Sequence, residues 1–160
     1  MSEEVEELEA VPVDDVFVRR LTAPMLKVRE PLILGLLKVA YSDTYNDTVG
    51  ASTMTDLYAG RLQAWEVVGK VKDETKFMGM FTTSITSGRR YGRRSLYVET
   101  LSAYSRITQS AWKKAIQVLT DYAKRNGCAI IEADVMNEKV ARQAERLGFR
   151  TASVRLVKEL

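Results

Sequence analysis

A chain of 160 residues, 46% apolar and 28% charged, has the make-up of one folded domain with a real core, not of a disordered or fibrous protein. Histidine is absent and Cys128 is the only cysteine, which excludes a disulfide framework within the chain, a histidine general base and a structural zinc site. The formal net charge is +3, but residues 1–15 hold seven acids (Glu3, Glu4, Glu6, Glu7, Glu9, Asp14, Asp15) and no base, which leaves a strongly basic body.

Residues 1–15 read as an acidic tail ahead of a single domain, residues 16–160. Such a tail is either solvated or docked, on the basic body or on a basic partner. Its acidity is unlike that of a signal or transit peptide. The longest apolar run, Pro31 to Tyr41, contains Lys38 and is too short to span a bilayer, so no membrane insertion is expected. The expected setting is reducing: the cytoplasm, or a particle assembled there.

Val16 to Leu21 (VFVRRL) reads as a short strand. Pro24 and Pro31 punctuate the approach to a helix from Pro31 to Ser42, where Leu32, Ile33, Leu36, Leu37 and Val39 cover much of the circumference and predict burial. Ser42 to Ser52 is polar and turn-rich, so it is expected as a loop, followed by a short helix from Thr53 to Leu62. An antiparallel meander comes next, Ala64–Val71 and Phe77–Thr86 around the turn VKDETK. Gly69 and Gly79 within it suggest bulges or close backbone approach. A basic loop, SGRRYGRR, leads into Ser95.

The stretch from Ser95 to Phe149 organises the rest. Ser95–Tyr104 reads as a strand, Arg106–Gly127 as a helix, Cys128–Met136 as a second strand and Asn137–Phe149 as a second helix. Trp112, Ala115, Ile116, Leu119, Tyr122 and Ala123 recur at helical spacing and predict the buried face, with Trp112 as packing. Asn126-Gly127 is a left-handed stop, Asn137 a good N-cap and Gly148 a second stop. A strand–helix–strand run of this length makes its two strands parallel neighbours. The tail TASVRLVKEL alternates Ala152, Val154 and Leu156 and predicts one last strand.

This segment resembles the Gcn5-related N-acetyltransferases. The resemblance rests on Asn137, on Leu147-Gly148-Phe149 closing the same helix, and on Arg106 about thirty residues upstream of Asn137. It implies an α+β fold with a mixed, mostly antiparallel sheet, a parallel splayed central pair and flanking helices. In that family the turn before the crossover helix reads Arg-x-x-Gly-x-Gly or Ala and holds the coenzyme A pyrophosphate on backbone amides. Here it reads Arg106, Ile107, Thr108, Gln109, Ser110 and Ala111, with Gln109 in place of the first glycine. Where the family commonly has a tyrosine, seven residues after the asparagine, this chain has Ala144. The site of Arg106, Thr108, Gln109, Ser110, Ala111 and Asn137 is thus expected to be degenerate, with no cofactor unless the chain is an active acetyl-CoA enzyme.

Three groups of residues are candidates for function. Glu99, Glu132 and Asp134 fall at the expected mouth between the two parallel strands. In an active enzyme Glu99 is the candidate base, with Tyr97 or Tyr104 as acid; otherwise these carboxylates face water or pair with arginines. Asp43, Tyr45, Asn46 and Asp47 lie where the family shapes its acceptor site. Arg89, Arg90, Arg93 and Arg94 flank Tyr91 on the basic loop, a solvated tip or a grip for phosphates, nucleic acid or an acidic protein. The expectation is a non-catalytic structural or protein-binding module in a larger assembly, similar to the acetyltransferase-like virion proteins of short-tailed bacteriophages. The alternative is an N-acetyltransferase that uses acetyl coenzyme A on an amine.

Overall fold

The structure, a computed structural model, describes residues 16–71, 73–87, 92–103, 108–135, 138–153 and 156–160. The acidic tail, Arg89, Arg90, Tyr91, Tyr104, Arg106, Ile107 and Asn137 therefore lie outside the described residues. The elements run β1 (Val16–Arg20), α1 (Ala23–Tyr41), a 3-10 turn (Ser42–Thr44), α2 (Asp47–Tyr58), β2 (Leu62–Val71), β3 (Glu74–Thr86), β4 (Ser95–Ala103), α3 (Gln109–Arg125), β5 (Ile130–Ala133) and α4 (Glu138–Arg146).

One sheet carries all of these strands in the order β1-β2-β3-β4-β5. The first four are antiparallel neighbours, and β4 and β5 are parallel, with Ser95 beside Ile130 and Val98 beside Ala133. The parallel pair follows from α3, which carries the chain back over the sheet between its two strands. The architecture is the expected α+β one with a mixed sheet.

Two apolar layers sandwich the sheet. On one face Ala111, Ala115, Leu119 and Ala123 of α3 pack on Val16, Trp65, Val67, Met78, Phe81 and Leu96. On the other, Leu26, Ile33, Leu36 and Leu37 of α1 and Met54 and Leu57 of α2 cover Ala64 and Met80. Ala115, Leu119 and Ala123 are buried as expected, and Ala111 takes the place of Trp112 in the seam. Small alanines let the helix lie close, and Trp112 and Ile116 are only half-buried at its flank. In β3 the register slips between Val67 and Val68 of the partner strand, opposite Gly79 and Phe77. The residue so bulged out, Met78, is wholly buried. The irregularity expected at Gly79 is there; Gly69 pairs regularly with Lys76.

Three boundaries differ from the expectations. The first helix opens at Ala23 rather than Pro31, because Thr22 is extended and Pro24 sits in the first turn. Pro31 then falls on an exposed face inside the helix, where the missing N–H is tolerated. The second helix opens at Asp47, inside the expected loop. Asn46 caps it by accepting from the Val49 amide at 2.9 Å. Gly50, inside that helix, leaves room for Tyr45: a Cβ there would stand 2.5 Å from the tyrosine oxygen. Third, residues 151–153 and 156–160 form no strand, and Leu156, Val157 and Leu160 are exposed. A strand needs a neighbour to pair with, and alternation alone does not supply one.

Candidate functional site

The site lies where β4 and β5 end against α1 and the start of α3. Its central device is a bulge. Val98 of β4 pairs with Thr83 and Thr100 with Thr82, so Glu99 is an extra residue on the strand. Glu99 shares its face of the sheet with Ser84, and its Oε1 accepts a hydrogen bond from Ser84 Oγ at 2.7 Å. Beside it the hydroxyls of Thr82 and Thr100 meet at 2.7 Å.

Further along the same row, Tyr97 Oη donates to Asp134 Oδ2, and Ser95 Oγ donates to Glu132 Oε2 at 2.8 Å. Ser95 also meets Thr86 Oγ1 at 2.6 Å. The strand alternation that puts Ser95, Tyr97 and Glu99 on one face thus aligns three hydroxyl-held carboxylates: Glu99, Glu132 and Asp134. The structure brings together the carboxylates that the sequence singled out. Glu99 also acts at a distance on Tyr41, at the end of α1. Burial first, and then the negative charge of Glu99, hold that phenol above the ordinary tyrosine range.

The cofactor half of the site is built differently. Thr108 is the N-cap of α3, and its hydroxyl accepts from the Ala111 amide at 3.2 Å. That amide is therefore already used, and Ala111 itself is wholly buried in the core. The amides of Gln109 and Ser110 remain at the helix start. Gln109 is exposed, and its Oε1 accepts from Gln143 Nε2 of α4, so the two helices are joined by a side-chain bridge. A pyrophosphate needs small residues and open amides at such a helix start. Among the described residues the helix start thus carries the Gln109 side chain and a capped Ala111 amide. Next to the bridge, Lys139, Arg142, Gln143 and Arg146 line a basic groove of about 360 Å³ on α4.

The other candidates are dispersed. Asn46 is occupied as a helix cap, Asp47 begins α2, and Tyr45 packs into the α1–α2 core beneath Lys38, whose ammonium lies 5.8 Å from the ring. Arg93 and Arg94 are exposed, and the Arg94 carbonyl accepts from Ala129 N at 2.8 Å. Cys128 is a free, half-buried thiol packed against the core rather than a residue of β5. Among the described residues no cluster of His, Cys, Asp and Glu could hold a metal ion, and no helix is long and apolar enough to cross a membrane.

Sequence reading missed Glu66. It is wholly buried in β2, its Oε1 2.6 Å from Arg19 Nε and its Oε2 3.4 Å from Arg29 Nε. Oε2 accepts no hydrogen bond. The available signal was a lone acid inside the apolar run AWEVV, across from the arginines of VFVRR.

No protein-family model matches the chain, and no curated protein does. Solved structures do. An aminoglycoside N-acetyltransferase, AAC(6')-Iy, in complex with coenzyme A is similar at TM-score 0.68 and 16% identity, over 91% of this chain and 94% of that one. A Trypanosoma brucei acetyltransferase is similar at TM-score 0.63 and 18% identity, over 91% of this chain and 100% of that one. Glucosamine-6-phosphate N-acetyltransferase from Arabidopsis thaliana is similar at TM-score 0.61 and 17% identity, over 90% of this chain and 97% of that one. With the parallel β4–β5 pair, the bulge at Glu99 and the helix of α3 opening between them, these likenesses settle the architecture: the chain has the fold of the Gcn5-related N-acetyltransferases.

Proposed function

We propose that the chain is a non-catalytic, protein-binding member of this fold, working within a larger assembly. One observation carries the reading: Gln109 bridges α3 to α4 through Gln143, over the helix start where a coenzyme pyrophosphate would need open amides. Ala144, on the same helix as Gln143, has no group to protonate a leaving thiolate. The resemblance to the small virion proteins of short-tailed bacteriophages supplies the kind of assembly, a capsid-associated one. The test is calorimetric titration with acetyl coenzyme A, native chain beside Gln109→Gly. No micromolar binding by the native chain, with a gain in the variant, is the expected result. Micromolar binding by the native chain overturns the reading.

A second reading is favoured by the bulge. Glu99 sits on a mouth that also holds Glu132 and Asp134, an arrangement suited to attracting a cationic amine and taking its proton. On this reading the chain is an N-acetyltransferase for an amine, as the aminoglycoside and glucosamine-6-phosphate enzymes are by name. Thiol release from acetyl coenzyme A with a panel of amines, falling by about 10²-fold or more in Glu99→Gln, would establish it.

A further inference from the structure

Among the described residues β1 is an edge strand, at the opposite end of the sheet from the carboxylate mouth. Its ladder phase can be read from one bond: Leu21 N donates to Ala64 O at 2.8 Å. Alternate residues of an antiparallel strand bond to the same neighbour, so Phe17, Arg19 and Leu21 face β2 with their backbone groups. Val16, Val18 and Arg20 turn theirs outward. Of these, the Val16 carbonyl is met by Lys114 Nζ at 3.2 Å.

A groove of about 650 Å³ runs along this edge. Arg19, Lys70 and Lys114 line it with apolar Val16, Phe17, Val18 and Val118, and no carboxylate does. Phe17 is 49% exposed, with the Lys70 ammonium 5.8 Å from its ring. An outward-facing edge, an exposed aromatic and one sign of charge together specify an occupant.

We propose that the β1 edge is a docking strip for an acidic, extended polypeptide segment, which adds as a strand while its carboxylates meet Lys70 and the exposed side of Arg19, whose Nε holds Glu66. This rests on the protein-binding reading and gives it a surface. The coenzyme titration probes the β4–β5 end and the experiment below the β1 edge, so the two can fail separately.

The probe is a fluorescent peptide of about ten residues alternating Glu and Val, long enough to span the strand. Its control has Pro in place of each Val, which keeps the charge, removes every second backbone donor and biases the peptide away from a β-strand. Fluorescence anisotropy is read with the full chain. Residues 1–15 are themselves acidic, so a second full-length form has their seven acids changed to Gln and Asn. Binding of the alternating peptide, but not of the Pro control, to at least one form is expected. Lys70→Glu should weaken it roughly tenfold. Val18→Pro should abolish it, because an outward N–H is removed, and should lower the melting temperature somewhat, because Val18 also packs against the core. The proposal is overturned by no binding to either form, by equal binding of the Pro control, by full binding to a folded Val18→Pro chain, or by a single-stranded oligonucleotide that displaces the peptide as well as an acidic peptide does.

Discussion

Glu66 gives the sharpest test of how this fold is held together. Its carboxylate is wholly buried, while its partners Arg19 and Arg29 are 51% and 37% exposed. Removing one partner of a buried ion pair costs about 3–5 kcal/mol, because the other charge is left without compensation. Here the stranded group is the glutamate. Arg19→Met deletes its only hydrogen bond from an arginine, at 2.6 Å, and half-exposure of Arg19 discounts the loss to about 2–3 kcal/mol. Arg29→Met deletes a 3.4 Å contact without a hydrogen bond, worth about 1 kcal/mol. Glu66→Leu removes the buried charge itself and leaves two arginines that water can reach, so it should be neutral or stabilising. The order of stability is then Glu66→Leu at or above native, Arg29→Met slightly below, and Arg19→Met lowest. In melting temperature Arg19→Met should fall by about 4–12 °C. Urea unfolding followed by the fluorescence of Trp65, which is 3% exposed, measures each. In the double variant Arg19→Met with Glu66→Leu, most of the loss should return. If Glu66→Leu proves the most damaging change, or the double variant is no better than Arg19→Met, the buried charge is a net attraction and the reasoning is wrong.

Other consequences are simpler. Leu96→Ala, at a wholly buried position of β4 in the core under α3, should cost about 2–5 kcal/mol in the same urea assay. Thr108→Ala removes the cap on the Ala111 amide and should cost about 1 kcal/mol, whereas Thr108→Ser should cost much less. Tyr41 is held above the ordinary tyrosine range, so its protonated form favours the folded state; that contribution is present below the unfolded pKa and is lost as pH rises through the folded one. Glu99→Gln removes one cause of the shift and should lower the alkaline midpoint of a single tyrosine in an ultraviolet titration, a change absent in the Tyr41→Phe background. No such change would mean that Glu99 does not face the end of α1.

The parts of the fold visible in the sequence were those set by local rules. Arg106 to Gly127 carries an amphipathic period and a left-handed stop, and α3 lies within it, although its cap, Thr108, was not read. The meander showed through its alternation and its glycine at the bulge. What local rules could not supply was partner identity. Ala111 rather than Trp112 defines the buried seam of α3 because the sheet beneath is crowded by Trp65 and Phe81, stacked with centroids 6.0 Å apart. Small side chains win there, and no helical period states the size of the opposing layer. Asn46 looked like one more polar loop residue until its neighbour's amide needed a cap.

The candidate site divides along the same line. Glu99, Glu132 and Asp134 were readable as a group because strand alternation fixes which side chains share a face, and parallel pairing follows from the crossover. That Glu99 occupies a bulge was not readable, since a bulge is a mismatch between two strands and belongs to neither alone. The Gln109–Gln143 bridge is of the same kind: the sequence showed a bulky residue where a glycine was expected, but not that a second glutamine thirty-four residues on would hold it. That contact changes the meaning of the substitution. A lone glutamine at a helix start obstructs a phosphate only as far as its rotamers allow, and a flexible side chain can move. A glutamine tied to the next helix gains a reason to stay, because moving it breaks a hydrogen bond and parts α3 from α4. On the reading proposed above, loss of cofactor binding by this route would need no change of fold, and it would leave the carboxylate row on β4 and β5 intact.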